Sequence, residues 1–134
     1  MTKEELKSYR SILCEIAQLE EQIYRLEICA RSPASMHTSD TPVSHDINQD
    51  RIGDLLVKSD ELKNILYYKK IELLETQISI EKAISTLDTR GRILFRYRYI
   101  EGLKWEDICL KMSYSWNVIH NIHRNGLREL KNIK

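Results

Sequence analysis

The sequence predicts an all-α protein, and three observations lead to that class. Only four glycines and two prolines occur in 134 residues, and 31% of the residues are charged, a composition typical of helical proteins. Two long segments repeat apolar residues at spacings of three and four, the period of one helical face. A shorter C-terminal region carries the same period on both sides of a turn. We therefore expect a long antiparallel helical hairpin over residues 1–84, followed by a small helical domain over residues 85–134.

The first helix of the hairpin is expected at about residues 4–30. Its apolar residues form a heptad seam, a stripe that repeats every seven residues along one face as in coiled coils. The seam consists of Tyr9, Ile12, Ile16, Leu19, Ile23, Leu26 and Ala30. Leu6 and Leu13 widen this stripe, so the helix can also pack in a bundle.

The second helix of the hairpin is expected at about residues 51–87. Its seam consists of Ile52, Leu66, Leu73, Ile80 and Leu87, with Ser59 in the remaining place. The segment between the helices, residues 31–49, contains both prolines and many Ser, Thr and Asp residues, which favour a loop. From residue 71 a second face also becomes apolar, through Ile71, Leu74 and Ile78. A helix that is apolar on two sides needs two partners. The first is the first helix of the hairpin, and the second is either the C-terminal domain or another protomer; we expect a homodimer formed through the hairpin.

The C-terminal domain is expected to begin with a helix capped by Asp88 or Thr89 and extending through residue 99. Its inner face would consist of Ile93, Leu94, Tyr97 and Ile100. Gly102 follows the end of the helix, where a positive φ is needed. The other faces of this helix carry four arginines, at positions 90, 92, 96 and 98. Some of these arginines are expected to pair with acidic residues of the hairpin.

Residues 105–131 have the layout of a helix-turn-helix. Ile108 and Met112 mark a short helix, residues 113–115 form a turn, and Ser115 can cap the helix that follows. The inner face of that second helix consists of Ile119, Ile122, Leu130 and Ile133. In a helix-turn-helix the first helix crosses the phosphate backbone and the second enters the major groove of double-stranded DNA.

The opposite arc of the second helix is polar and cationic. It consists of Asn117, His120, Asn121, Arg124 and Arg128, without one carboxylate. An ordinary solvated face is the alternative, but such a face normally mixes charges of both signs. Amides suit the edge of adenine and arginines suit guanine or phosphate, so the pattern favours DNA recognition.

The charge distribution places the DNA contact in the C-terminal part of the chain. Residues 1–84 contain 11 Lys and Arg against 15 Asp and Glu, a net charge of −4. Residues 85–134 contain 10 against 5, a net charge of +5. Such a local positive excess attracts nucleic acid in a salt-sensitive manner.

These residues resemble a known family. The run from Ser85 to Lys131, with EGLKWEDI and then SWNVIHNIHRNGLREL, resembles region 4 of sigma-70 factors. More narrowly, RYIEGLKWEDI followed by YSWNVIHNIHRNGLREL behind a long helical hairpin resembles the small phage-encoded regulators of the RinA/ArpU type. The resemblance implies control of phage or prophage late genes, with RNA polymerase as a further partner. Carried over by position, it implies base-facing residues at Trp116, Asn117, His120 and Asn121, with Arg124 following.

Three positions depart from the pattern of that family. Ser113 stands where glycine is usual in the turn, so a left-handed backbone there is less favourable. Trp116 stands at a recognition position that is often basic, so base preferences cannot be transferred. Gly126 stands where alanine is commoner, at a cost in helix stability of about 1 kcal/mol.

Other classes of protein find little support in the sequence. No nucleophile elbow, P-loop or HExxH motif occurs, and three cysteines without a CxxC pair do not form a disulfide framework or a zinc site, so we expect neither an enzyme nor a cofactor. No apolar run reaches the length of a membrane span, so we expect a cytoplasmic protein near the nucleoid of a bacterial host. The alternative is a DNA-packaging or assembly protein like a small terminase subunit, using the same helix-turn-helix.

Overall fold

The computed structural model describes residues 1–31 and 45–132, with the backbone alone for residues 45–50. Every regular element in these residues is helical, which confirms the all-α class. The elements are α1 (Lys3–Arg31), α2 (His45–Ile84), α3 (Thr89–Phe95), a π-helical segment (Arg96–Ile100), α4 (Trp105–Met112) and α5 (Trp116–Lys131). Across the described ranges, no helix combines the length and the apolar content needed to cross a bilayer.

The bounds of α2 differ from those predicted. The helix begins at His45, so residues 45–49, expected in a loop, are helical, while residues 32–44 of that loop lie outside the described residues. It ends at Ile84, before the predicted end at residue 87. Ser85 Oγ donates to the carbonyl of Lys82 at 2.6 Å and Thr86 Oγ1 donates to that of Ala83 at 2.8 Å. Such hydroxyls offer the backbone a local alternative to the helical pattern, which accounts for the early end.

Residues 14–71 form one compact unit, which we call the rod unit. Ion pairs join Glu15 of α1 to Lys69 of α2 at 2.9 Å and Glu27 to Lys63 at 2.7 Å. Because the later residue of α1 pairs with the earlier residue of α2, the two helices run antiparallel here. In this unit the residues of both predicted seams are buried or partly buried, including Ser59, which is 2% exposed.

Residues 1–13 and 72–134 form the other compact unit, the head unit. Its core contains Leu6, Tyr9, Ile80, Ile84, Leu87, Leu94, Phe95, Tyr99, Ile108, Ile119 and Leu130. The first two come from α1 and the next two from α2, so both long helices supply apolar surface to the C-terminal elements. The domain boundary predicted at residue 84 therefore falls inside the head unit.

The helix that opens the C-terminal region is capped as predicted, and most of its predicted inner face packs against the core. Asp88 accepts a hydrogen bond from the Gly91 N–H at 2.9 Å, which confirms the cap. Of the predicted inner residues, Leu94 is buried and Tyr97 and Ile100 pack against the core, whereas Ile93 is 39% exposed. Phe95 and Tyr99, which were not predicted to face inward, are also buried. The backbone after Phe95 is π-helical, with the Glu101 N–H bonded to the Arg96 carbonyl five residues earlier. This wider turn changes the direction of the later side chains and breaks the simple helical period.

Candidate nucleic-acid interface

The connection between α4 and α5 is made by Ser113, Tyr114 and Ser115. Ser113 has φ 58° and ψ 39°, a left-handed conformation that is unfavourable for a residue with a Cβ atom. Its N–H donates to the Cys109 carbonyl. Ser115 has an extended backbone, and its Oγ accepts from the Val118 N–H at 3.4 Å, which confirms the predicted cap. The turn thus ends α4 and starts α5 within three residues.

The inner face of α5 is packed against the core of the head unit. It consists of the buried residues Ile119, His123, Gly126 and Leu130. Ile122 is partly buried, and the predicted inner residue Ile133 lies outside the described residues. Gly126 lies directly against Phe95, since a Cβ atom at this glycine would be 2.5 Å from Cε2 of that ring. The absent side chain therefore allows α5 to approach α3 closely.

The outer face of α5 is exposed and cationic. Four of the predicted residues lie on it, Asn117, Asn121, Arg124 and Arg128, and Lys131 joins them at the same helical period. No Asp or Glu lies on this arc, and neither arginine makes an ion pair with any described residue. The face therefore presents two amides and three cations to its surroundings. Sequence reasoning missed Lys131, although its spacing from Arg124 and Arg128 was a sufficient signal.

His120 differs from the other predicted residues because aromatic rings cover it. Its ring centre lies 4.7 Å from that of Trp105 in α4 and 4.3 Å from that of Trp116 at the start of α5. Its Nε2 atom is buried and has no hydrogen-bond partner among the described residues. This nitrogen is therefore not exposed on the outer face. The helical period shows where a residue lies on its own helix, but it does not show which side chains of other helices cover that residue.

Trp116, the first residue of α5, is half exposed. Its indole ring contacts His120, and the other neighbour of that imidazole is the ring of Trp105; both pairs of rings are tilted and not stacked. A large ring held in this way at the start of the helix offers a flat apolar surface beside the exposed amide of Asn117. Trp105 was not among the predicted site residues, although it covers His120, which in turn contacts Trp116.

His123 is a structural residue below this surface. Its Nε2 shares a hydrogen bond of 2.7 Å with the hydroxyl of Tyr99, and both side chains are buried. Burial, with smaller contributions from the charges of Lys3, His120 and Arg98, lowers the pKa of His123 to about 4. Burial likewise raises the pKa of Tyr99 to about 12. The pair is thus uncharged at neutral pH, as expected for a hydrogen bond inside a core.

The four arginines around α3 are engaged within the head unit. Arg96 forms a two-pronged ion pair with Glu81 of α2, with its shortest contact at 2.8 Å, which confirms that part of the arginine set pairs with the acidic helix. Arg92 donates to the Leu87 carbonyl at 2.9 Å, and Arg90 lies 6.0 Å from the centre of the Tyr114 ring. Arg98 lies over Trp105.

Within the described ranges, no group of three His, Cys, Asp or Glu residues could hold a metal ion.

Comparison of the chain with protein-family models, with curated proteins and with solved structures found no match.

Proposed function

We propose that this protein is a sequence-specific DNA-binding regulator of transcription, acting on phage or prophage genes, with α4 and α5 as its helix-turn-helix. The observation that carries the proposal is the outer face of α5, which is exposed, rich in amides and cations, and without a carboxylate. Its inner face is packed against a core, so the helix presents these groups in a fixed register. A short helix, a three-residue turn and a second helix are the elements that bring such a face into the major groove.

Within this interface, Asn117 and Asn121 read bases while Arg124 and Arg128 hold the phosphate backbone. An amide can bond to both N6 and N7 of adenine, so its loss costs about 1–3 kcal/mol on the preferred site and little elsewhere. Removal of a side chain that holds phosphate weakens binding to all sequences alike. The two roles can therefore be separated by comparing duplexes.

The test begins by selecting preferred duplexes from a random library with the purified full chain. Asn121→Ala, Arg128→Ala and the control Asn64→Ala, an exposed asparagine of the rod unit, are then compared on the selected and a scrambled duplex. We expect Asn121→Ala to lower the ratio of the two affinities, Arg128→Ala to lower both affinities equally, and the control to change neither. If both Asn117→Ala and Asn121→Ala keep the wild-type ratio while Arg128→Ala abolishes it, the amides do not read the sequence.

The full chain is required for this measurement. Residues 85–134 alone would leave the head unit without Leu6, Tyr9, Ile80 and Ile84, all of which belong to its core. Loss of several buried apolar side chains costs several kcal/mol, comparable to the whole stability of a small domain. A fragment that failed to bind DNA would then report unfolding and not the absence of an interface.

The proposal includes a homodimer formed through α2. Leu74 and Ile78, one turn apart in the head unit, are 58% and 53% exposed, whereas Leu73 packs against the core. Apolar side chains that stay exposed in adjacent turns are typical of interfaces. A second copy of α2 offers the same apolar surface, and a twofold contact is the commonest way to cover it.

Analytical sedimentation measures the oligomeric state of the chain directly. We expect the wild-type chain to sediment as a dimer and Leu74→Glu/Ile78→Glu to sediment as a monomer, with Ser79→Glu, an exposed control on the same helix, remaining dimeric. A wild-type monomer at high concentration would contradict the dimer. A large closed ring would instead favour the packaging protein over the regulator.

A further inference from the structure

A cleft in the head unit gathers positive charge away from the outer face of α5. It has a volume of about 270 Å³ and lies between the start of α1 and the connection that leads from the π-helical segment to α4. Its walls include four cations, Lys3, Lys7, Arg10 and Arg98, together with Tyr99 and Trp105. The spacing of the first three places them on one face of α1. The fourth comes from a segment some ninety residues further along the chain.

None of these four cations makes an ion pair with any described residue. This contrasts with Arg96 of the same unit, which Glu81 neutralises. Among the residues that the structure describes, no carboxylate lines the cleft. Cations that converge without a counter-charge produce a positive potential, and a concave surface concentrates it. The cleft is therefore suited to an anion.

The two arginines are held in place before any ligand arrives. Arg10 Nη1 donates to the Ile100 carbonyl at 3.1 Å, and Arg98 Nη1 donates to the Leu103 carbonyl at 3.0 Å. The guanidinium of Arg98 also lies 4.5 Å from the centre of the Trp105 ring. Each guanidinium has five N–H groups, so most of its donors remain for other acceptors. Held guanidinium groups with several donors suit the oxygens of phosphate.

Gly102 makes room for this arrangement. Its φ is +71°, and a Cβ atom at this position would lie 2.6 Å from Cζ of Arg10. A side chain here would displace the guanidinium, so the glycine serves the cleft as well as the backbone turn.

The cleft is one side chain away from α5. Trp105 forms part of its wall and at the same time contacts His120 of α5. Trp105 is also the first residue of α4, and in a helix-turn-helix this helix crosses the phosphate backbone. In that arrangement, the backbone of a duplex on the outer face of α5 runs past the start of α4, where Trp105 lines the cleft.

We infer that this cleft binds backbone phosphates of the same duplex that α5 reads, so that the start of α1 belongs to the DNA interface. The inference rests on the proposed function. It assigns phosphate binding to the start of α1. The net charge of residues 1–84, which is negative, had placed the DNA contact elsewhere in the chain. Lys3, Lys7 and Arg10 supply the cations of α1 that bind these phosphates.

The test compares two double variants of the full chain with the same change in net charge. Lys3→Gln/Lys7→Gln removes two cations of the cleft, and Lys58→Gln/Lys82→Gln removes two exposed lysines outside it. All four lysines are exposed, so both variants should keep the fold, which thermal unfolding checks. Affinity for a duplex is measured over a range of salt. The slope of log K against log salt becomes shallower by about 0.9 for each phosphate that is no longer neutralised. We therefore expect the slope of the cleft variant to become shallower by about 2 in total, and the slope of the other variant to stay unchanged.

Each alternative outcome has a distinct meaning. Equal slopes for the two variants would refute phosphate binding by the cleft but would leave the proposed DNA binding intact. A wild-type chain that binds no duplex would overturn the proposed function itself. Inorganic tripolyphosphate, titrated separately, carries the phosphate chemistry without a duplex. If the cleft variant loses tripolyphosphate binding but keeps the wild-type slope on DNA, the cleft takes a small phosphate ligand and the inference is wrong.

Discussion

Acidification is expected to weaken the head unit through His123. The pKa of this buried side chain is lowered to about 4, against 6.5 for an unperturbed histidine. Because the unfolded chain takes up the proton at a higher pH than the folded chain, lowering the pH favours unfolding. The contribution of the neutral histidine is complete above about pH 6.5 and is lost as the pH falls through the folded pKa. Linkage gives a loss of about 2 kcal/mol at pH 5 and about 3 kcal/mol at pH 4.

The head unit carries its own probe for this measurement. Both tryptophans of the chain, Trp105 and Trp116, belong to it, so their fluorescence follows its unfolding in urea. The free energy of unfolding is measured at pH 7, 6 and 5, above the range in which most carboxylates titrate. We expect the wild-type chain to lose about 2 kcal/mol between pH 7 and pH 5.

Two variants separate His123 from other causes. His123→Gln removes the titrating group, so it should be less stable at pH 7 but nearly flat down to pH 5. Tyr99→Phe removes the hydrogen bond but keeps the buried imidazole, so it should retain the pH dependence. A loss in His123→Gln equal to that of the wild type would refute the reasoning, because the proton would then be taken up elsewhere.

Three substitutions test local packing through the free energy of unfolding in urea. Gly126→Ala gains about 1 kcal/mol in helix propensity but forces a methyl group against the fully buried Phe95. Overpacking costs about 1–3 kcal/mol, so we expect net destabilisation. If the clash with Phe95 is the cause, Gly126→Ala should no longer be destabilising in a chain that already carries Phe95→Leu. Ser113→Gly should stabilise the head unit by about 0.5–1 kcal/mol, because a left-handed residue with a Cβ costs about 1–2 kcal/mol and the entropy of glycine offsets part of the gain; an unchanged urea midpoint would contradict this. Ser59→Ala should raise stability by about 1 kcal/mol, because the buried hydroxyl has no hydrogen-bond partner among the described residues. Since the rod unit contains no tryptophan, far-UV circular dichroism follows that variant, and a loss of stability would show that the hydroxyl is bonded.

Features that depend on neighbouring residues in the sequence were predicted well. The caps at Asp88 and Ser115 and the positive φ of Gly102 follow from chemistry within three or four residues, and the structure confirms them. The seams of α1 and α2 follow from a period repeated over many turns, so single exceptions such as Ser59 did not obscure them.

Features that depend on distant segments were not predicted. His120 lies on the correct arc of α5, but its cover comes from Trp105 of another helix. The basic cleft joins α1 to Arg98, and no local pattern connects the two. The spacing of Lys3, Lys7 and Arg10 was visible in the sequence, but in an acidic segment it could not be distinguished from an ordinary solvated face. The boundary at residue 84 was placed by a change in composition, whereas the packing of Ile80 and Ile84 is tertiary.

The composition of the head unit has a consequence for the order of folding. Leu6 and Leu130 belong to one core, so residues more than a hundred positions apart must meet before that core is complete. Closing so long a loop is slow compared with the pairing of neighbouring helices. During synthesis on the ribosome, residues 14–71 can pair as soon as both of their helices have emerged. The first turns of α1 must wait for α5, and the outer face of α5 takes up its fixed position only when these two segments have come together.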